Sequence, residues 1–415
     1  MKRVMVILAV AGLMVAGAVP AEAETDAYGQ HAWHYASGNV YPESNSEMVY
    51  ALSLTNPAPG SDAYTAVQRG GDFLVWAQND DGGFDWKWNI LSDPKPGSSS
   101  ANQFGVTSKG LIGAYNVTGD TKYLNAAKKA ADALKAVIDG GTTPYFQDCW
   151  LLSEYADASG DATYQAAADD GLALAIKTYS TFGARPGSDN APATIVHGMF
   201  QRYQPVDEPP PAWTVNRYCN GFDSAGALFA LDMASPGLMV DVAGDGSVMV
   251  SADAIAAAFE AEMQSWVDSD AGPHPNGGKW YKAADTSYGT DLVLNQGATL
   301  AALVRSMDGD KTGGDYVNYL APMAAELAAA QTDGYFWWNP ATHGETADTD
   351  AGFQAHAYAL MGIAEYNDLG SYPQLEEDAA AWAAENQGYI AVPEPGALGL
   401  VGLGLVGLAR RKRRS

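Results

Sequence analysis

Four aspartates, Asp148, Asp223, Asp291 and Asp350, each stand where a small-residue segment of helical period begins. Two carboxylates brought to one cleft can divide the work of general acid and general base, provided burial raises the pKa of one of them. Aspartate is also a favoured helix cap, because its oxygens accept from the free amides of a first turn. Both readings apply to each position, and spacing along the chain does not say which pair meets. The candidate catalytic set is Asp148, Asp223 and Asp350, with His197 beside them.

The aromatic residues point the same way. Trp86, Trp88, Trp150, Trp213, Tyr218, Trp280, Trp337 and Trp338 fall in or beside the connections that precede these segments, interleaved with carboxylates. Flat rings that stack on the apolar faces of sugars, next to groups that bond hydroxyls, are what an oligosaccharide groove needs. Packing of loops onto a helical body would use the same residues. Arg217 with Tyr218 adds a charge clamp, and His197 with that pair would supply the base of a lyase acting on a polysaccharide. These rings and Arg217 are the candidate substrate-binding residues.

No cofactor is expected. His31-Ala32-Trp33-His34 has metal-like spacing without a nearby third ligand. Asp241 to Ser247 and Asp308-Gly309-Asp310 hold fragments of a calcium loop and lack the full twelve-residue pattern. The sequence contains no phosphate-binding loop, dinucleotide fingerprint or nucleophile elbow.

The elements that must position these residues repeat. Leu111-Ile112-Gly113-Ala114-Tyr115, followed by Gly119-Asp120 and Tyr123 with Ala126-Ala127, has a close copy in Leu151 to Ala167. Looser copies pair Met48–Leu54 with Tyr64–Gln78, Ser224–Met233 with Ala254–Gln264, Asn295–Met307 with Tyr316–Gln331, and Gln354–Tyr366 with Leu375–Gln387. Six helical hairpins, small residues in the first helix of each, predict an all-α protein: an inner ring packed inside an outer ring, an (α/α)6 toroid. The long connections then gather on one face, at the starts of the inner helices, where function is expected.

A second signature ends the outer helices. Gln78-Asn79-Asp80-Asp81-Gly82-Gly83-Phe84 is echoed by Gln331-Thr332-Asp333-Gly334-Tyr335 and by Gln387-Gly388-Tyr389. It resembles the QW repeat of squalene cyclases and prenyltransferase-type toroids, and the resemblance implies a structural role in which each Gln bonds helix ends. Asp348-Thr349-Asp350-Ala351 resembles the acid motif of the cyclases without its fourth Asp, so a terpenoid-cyclase-like activity ranks third among the functional readings.

Both ends of the chain carry addresses. Lys2-Arg3, the apolar stretch Val4 to Val19 and Ala21-Glu22-Ala23 predict a signal peptide over residues 1–23. Pro393-Glu394-Pro395, an apolar run from Gly396 to Ala409 and five basic residues resemble the PEP-CTERM sorting signal, assigned to residues 391–415. That resemblance implies recognition by an exosortase, removal of the tail and delivery to the cell surface or matrix. The run, about 14 residues, is shorter than the roughly 17–25 of a stable membrane span and suits a transient transmembrane anchor in the inner membrane. Residues 24–390 remain for the toroid. The net charge of −26 becomes −32 for residues 24–409 once the flanking segments, together +6, are set aside. So acidic a surface excludes nucleic acid and weighs against polyanions. Cys149 and Cys219, both just before inner helices, could form one disulfide outside the cytoplasm. The expected function is binding or cleavage of a polysaccharide, of glycosidase or lyase type; a non-catalytic surface scaffold is the alternative.

Overall fold

The computed structural model describes residues 30–35, 38–89, 97, 99–100, 103–179, 221–241, 246, 249–257, 292–306, 320–336, 351–367 and 372–389. Six helices form an inner ring: α1 (Pro42–Leu54), α3 (Gly105–Thr118), α5 (Phe146–Ser159), α7 (Gly221–Asp232), α8 (Leu292–Ser306) and α10 (Ala351–Asn367). Each packs on the next, and α10 returns to α1. Outside them lie α2 (Asp62–Ala77), α4 (Thr121–Asp139), α6 (Ala162–Tyr179), α9 (Ala321–Ala330) and α11 (Pro373–Glu385), each against its inner partner. Residues 252–257 are also helical, in the place where the fourth hairpin needs its outer helix. The toroid expected from the repeats is the fold observed.

Local chemistry sets the hairpins. Gly119 and Gly160 close α3 and α5 in the left-handed conformation, with φ of 69° and 70°. The Asp after each caps the following helix: Asp120 Oδ1 accepts from Lys122 N at 3.0 Å, and Asp161 Oδ1 from Thr163 N at 3.0 Å. In α4 the buried residues Tyr123, Ala126, Ala127, Ala130, Ala131, Leu134 and Ile138 follow the helical period and face the inner ring. Small residues let inner helices touch. A Cβ on Gly297 would lie 2.3 Å from the carbonyl oxygen of Tyr358, so α8 and α10 cross backbone to backbone.

The glutamines that end the outer helices act as staples. Gln78 Nε2 donates to the carbonyl of Ala126 in α4 at 2.9 Å, Gln331 Nε2 to Leu375 in α11 at 3.0 Å, and Gln387 Nε2 to Ala66 in α2 at 3.0 Å. Each outer helix end is thus tied to the next outer helix. Gly82, at φ 88°, sits so close to α4 that a Cβ would meet the Lys129 carbonyl at 2.5 Å. Two-residue strands complete the closure: β1 (His31–Ala32) pairs antiparallel with β8 (Gly388–Tyr389), joining the two ends of the ring, and β2 (Asn39–Val40) pairs with β3 (Trp88–Asn89). Between them in sequence come β4 (Met239–Asp241) with β5 (Met249–Ser251), and β6 (Gln331–Thr332) with β7 (Tyr335–Phe336).

The inner helices start earlier than the apolar pattern places them: α1 at Pro42 rather than Met48, α3 at Gly105 rather than Leu111, α5 at Phe146 rather than Leu151. Their first turns are polar yet buried, as in Ser44-Asn45-Ser46-Glu47 and Thr107-Ser108-Lys109. Some of them bond neighbouring segments, Asn45 to Trp33 and Ser46 to Gly110, and hydrophobic periodicity carries no signal there.

Candidate functional site

The inner-helix starts define a mouth with a polar column beneath it. At the rim Trp86 is 47 % exposed. Its ring stands edge-on to Tyr41, with centroids 6.0 Å apart, and Lys87 Nζ lies 4.7 Å from it. The aromatic line continues through Tyr35 to Phe353 at the start of α10. The β2–β3 pairing holds the Trp86 loop against α1.

Below the rim, Gln103 Nε2 donates to Glu43 Oε2 at 2.6 Å and Thr107 Oγ1 to Gln103 Oε1 at 2.7 Å. Deeper still is Lys109, fully buried on α3. Its Nζ donates to Gln147 Oε1 at 2.7 Å, reaches Tyr358 Oη at 3.5 Å and lies 3.8 Å from the centroid of Trp150. Burial pushes the Lys109 amine down to about 8, against the pull of Glu47, Glu43 and Glu154. Around the same axis, Gln147 Nε2, Ser108 Oγ and Thr299 Oγ1 are buried with no hydrogen-bond partner among the described residues. The column therefore offers an amine near neutrality, carboxylates, a phenol and spare amide and hydroxyl groups.

Trp150 links this level to the floor. It stacks on Phe229 at 4.2 Å and donates from Nε1 to Glu154 at 3.0 Å. Glu154 also accepts from Tyr50 Oη at 2.6 Å and pairs with Arg305, whose Nε meets Glu365 at 2.5 Å. Burial opposes the charge on Arg305, but Tyr50, Glu365 and Glu154 together hold it protonated. Four inner helices meet in this network, near their C-terminal ends.

The sequence candidates divide sharply. Trp86 sits at the rim. Trp150 is not a loop residue: it lies on α5, fully buried, because the helix begins earlier than its apolar pattern. Asp148 is the third residue of α5, where Oδ2 accepts from Tyr145 N at 2.9 Å and Oδ1 from Gly105 N at 3.0 Å, so it caps its own helix and ties it to α3. Burial raises its carboxyl to about 6, although both amides and Lys109 pull the other way. Asp223 is placed in the first turn of α7 and Trp88 in β3, their side chains outside the described set. His197, Trp213, Arg217, Tyr218, Trp280, Asp291, Trp337, Trp338, Asp350 and Pro393-Glu394-Pro395 lie outside the described residues. Cys149 is a buried thiol, free among the described residues, and its suggested partner Cys219 lies outside them. No cluster of metal-binding side chains occurs among the described residues, and no helix there is long and apolar enough to cross a membrane. Sequence reasoning missed Lys109, Glu43, Glu47, Gln147 and Tyr358. A single Lys inside Val106 to Ala114, otherwise small or apolar apart from two hydroxyls, was the available signal, because a lysine is rarely buried unless paired.

Comparison with known proteins adds two sequence matches. Residues 78–165 match the family described as D-glucuronyl C5-epimerase C-terminus, about a fifth of the chain. Residues 391–414 match the PEP-CTERM protein-sorting motif. No curated protein matches. Among solved structures, cellobiose 2-epimerase from Spirochaeta thermophila DSM 6192 is similar over 83 % of this chain and 90 % of that one, with a TM-score of 0.53 and 13 % identity. A β-1,3-1,4-glucanase from Paenibacillus sp. X4 reaches a TM-score of 0.47 at 15 % identity, over 83 % and 89 % of the two chains. At these identities the likeness is one of fold. The chain is thus an α/α toroid carrying a C-terminal sorting motif, and that motif marks an exported, envelope- or surface-directed protein processed by an exosortase.

Proposed function

We propose that the toroid acts on a uronate-bearing polysaccharide, which lies across the mouth and places one sugar over the Lys109 column. The observation that carries this reading is the column itself: it lies largely within the segment that matches the glucuronyl C5-epimerase family, which contains Lys109, Gln147, Trp150 and Glu154. The carbon next to a sugar carboxylate is a weak carbon acid, and its proton must go to a base tuned near the working pH. An amine held at about 8 is such a base. In this account neutral Lys109 takes the proton, Gln147 orients the amine, and the Trp86 ring stacks on a neighbouring sugar. Return of a proton to the carbon gives epimerisation; loss of the adjacent glycosidic oxygen gives a lyase. Glu47 keeps a fraction of the amine charged, so activity should rise as the pH passes through about 8.

The acidic surface opposes a polyanion, and this reading accommodates it through Lys87, a cation at the rim beside Trp86. Charge along the described axis speaks against a terpenoid-cyclase cavity, which would be apolar. The test is incubation of the purified protein with a panel of uronate and neutral polysaccharides in D2O. Solvent deuterium at the uronate C5, or an unsaturated uronate end, supports the proposal. Turnover of neutral glycans alone would replace it with a glycosidase, and binding without turnover with a surface scaffold.

A further inference from the structure

A partly open cavity of about 340 Å³ lies between α4 and the starts of α3 and α5. Phe104, Leu134, Val137, Pro144 and Tyr145 form much of its wall, and Asp148 is among the lining residues. Val137, 40 % exposed, marks the open edge, whereas Asp148 is 3 % exposed. Each Asp148 oxygen accepts one backbone amide. A carboxylate oxygen has two lone pairs, so both keep acceptor capacity.

The charges around this carboxylate are few. α4 contributes Ala133, Leu134 and Val137 to the cavity, and the 142–145 segment contributes two threonines, a proline and Tyr145. From α5 the neighbouring titratable group is the buried thiol of Cys149, and from α3 it is Lys109, which acts from the axial side. A carboxylate set in an apolar wall is poorly solvated, and a ligand cation offsets that cost far better than a neutral donor does. Aromatic faces at Phe104 and Tyr145 add attraction for a cation.

We propose that this cavity binds a compact organic ammonium, its nitrogen on Asp148 and its hydrocarbon body against Phe104, Leu134 and Val137. A single aliphatic ring suits the volume. This site is separate from the Lys109 column and does not depend on the polysaccharide reading. An ammonium ligand requires the ionised carboxylate, and the free carboxyl titrates near 6. Binding therefore strengthens above that pH and is lost below it, while the ammonium itself stays charged throughout.

Calorimetric titration of the purified full chain with cyclohexylammonium, and with cyclohexanol as its neutral counterpart, tests the proposal. At about pH 7.5 the ammonium should bind at least about tenfold more tightly than the alcohol, and at about pH 5 it should lose about tenfold in affinity while the alcohol is unaffected. Asp148→Asn should remove that preference. Val137→Trp, which fills the cavity from its exposed edge and leaves the caps intact, should abolish binding whether or not the Asn variant folds. Equal binding of the two probes, no loss in acid, unchanged binding in Val137→Trp, or no binding of the ammonium at millimolar concentration would each overturn it.

Discussion

Asp148 illustrates how one side chain serves position and charge at once. It stitches the start of α5 to the start of α3, yet its burial makes ionisation costly. Its folded-state pKa, about 6, lies above the ordinary aspartate value of 3.8. The stability it contributes is therefore present in full below about 3.8 and is lost as the pH rises through 6. The shift of roughly two units corresponds to about 3 kcal/mol. Asp148→Asn removes the charge and keeps one of the two acceptors, so whatever its stability at pH 4 it should gain on the wild type by up to about 3 kcal/mol between pH 4 and pH 7. Denaturant unfolding of both proteins across that range measures it, and a constant difference would contradict the assignment. The cap role was legible in the sequence, since Asp at a helix start is a standard signal. Lys109 carried only the weak signal of a lone lysine in a small, apolar stretch, because its partners Gln147 and Tyr358 come from other helices.

At the scale of the element, the repeats and the Gly-Asp turns revealed the hairpins, and the terminal glutamines revealed how the outer helices are joined. Gln78, Gln331 and Gln387 bond as the QW resemblance implied. The helix starts were hidden for a physical reason: Ser44 to Glu47, and Gln147 with Asp148, are polar yet buried, which inverts the usual pattern of apolar inside and polar outside. Gln387 offers a test of the staple. Its amide donates to Ala66 across the point where the ring closes, within a buried setting. Gln387→Ala removes the second donor to that carbonyl, which its own helix also bonds, and should cost about 0.5–1.5 kcal/mol. Thermal or chemical unfolding would read this directly, and a loss below about 0.5 kcal/mol would show that closure rests on the β1–β8 pairing and on helix packing instead.

For the whole molecule, the sorting address and the toroid occupy separate parts of the chain. The sorting motif ends the sequence, and replacing Glu394 with Ala should leave the tail uncut and the protein held at the inner membrane; normal release of that variant would remove the exosortase step. The toroid was legible because its repeats are written in small residues and glycines. The polar column was not, because it is assembled from α1, α3, α5 and α10, whose polar residues meet only after the ring is formed. The most direct test of the central claim is the rate of solvent-deuterium incorporation into a uronate polysaccharide, compared between the wild type and Lys109→Gln. Loss of the base should lower that rate by about 10²–10⁴-fold while polysaccharide binding survives, and the wild-type rate should rise through about pH 8. Equal rates in the two proteins, or a wild type that incorporates no deuterium from any uronate polymer, would contradict it.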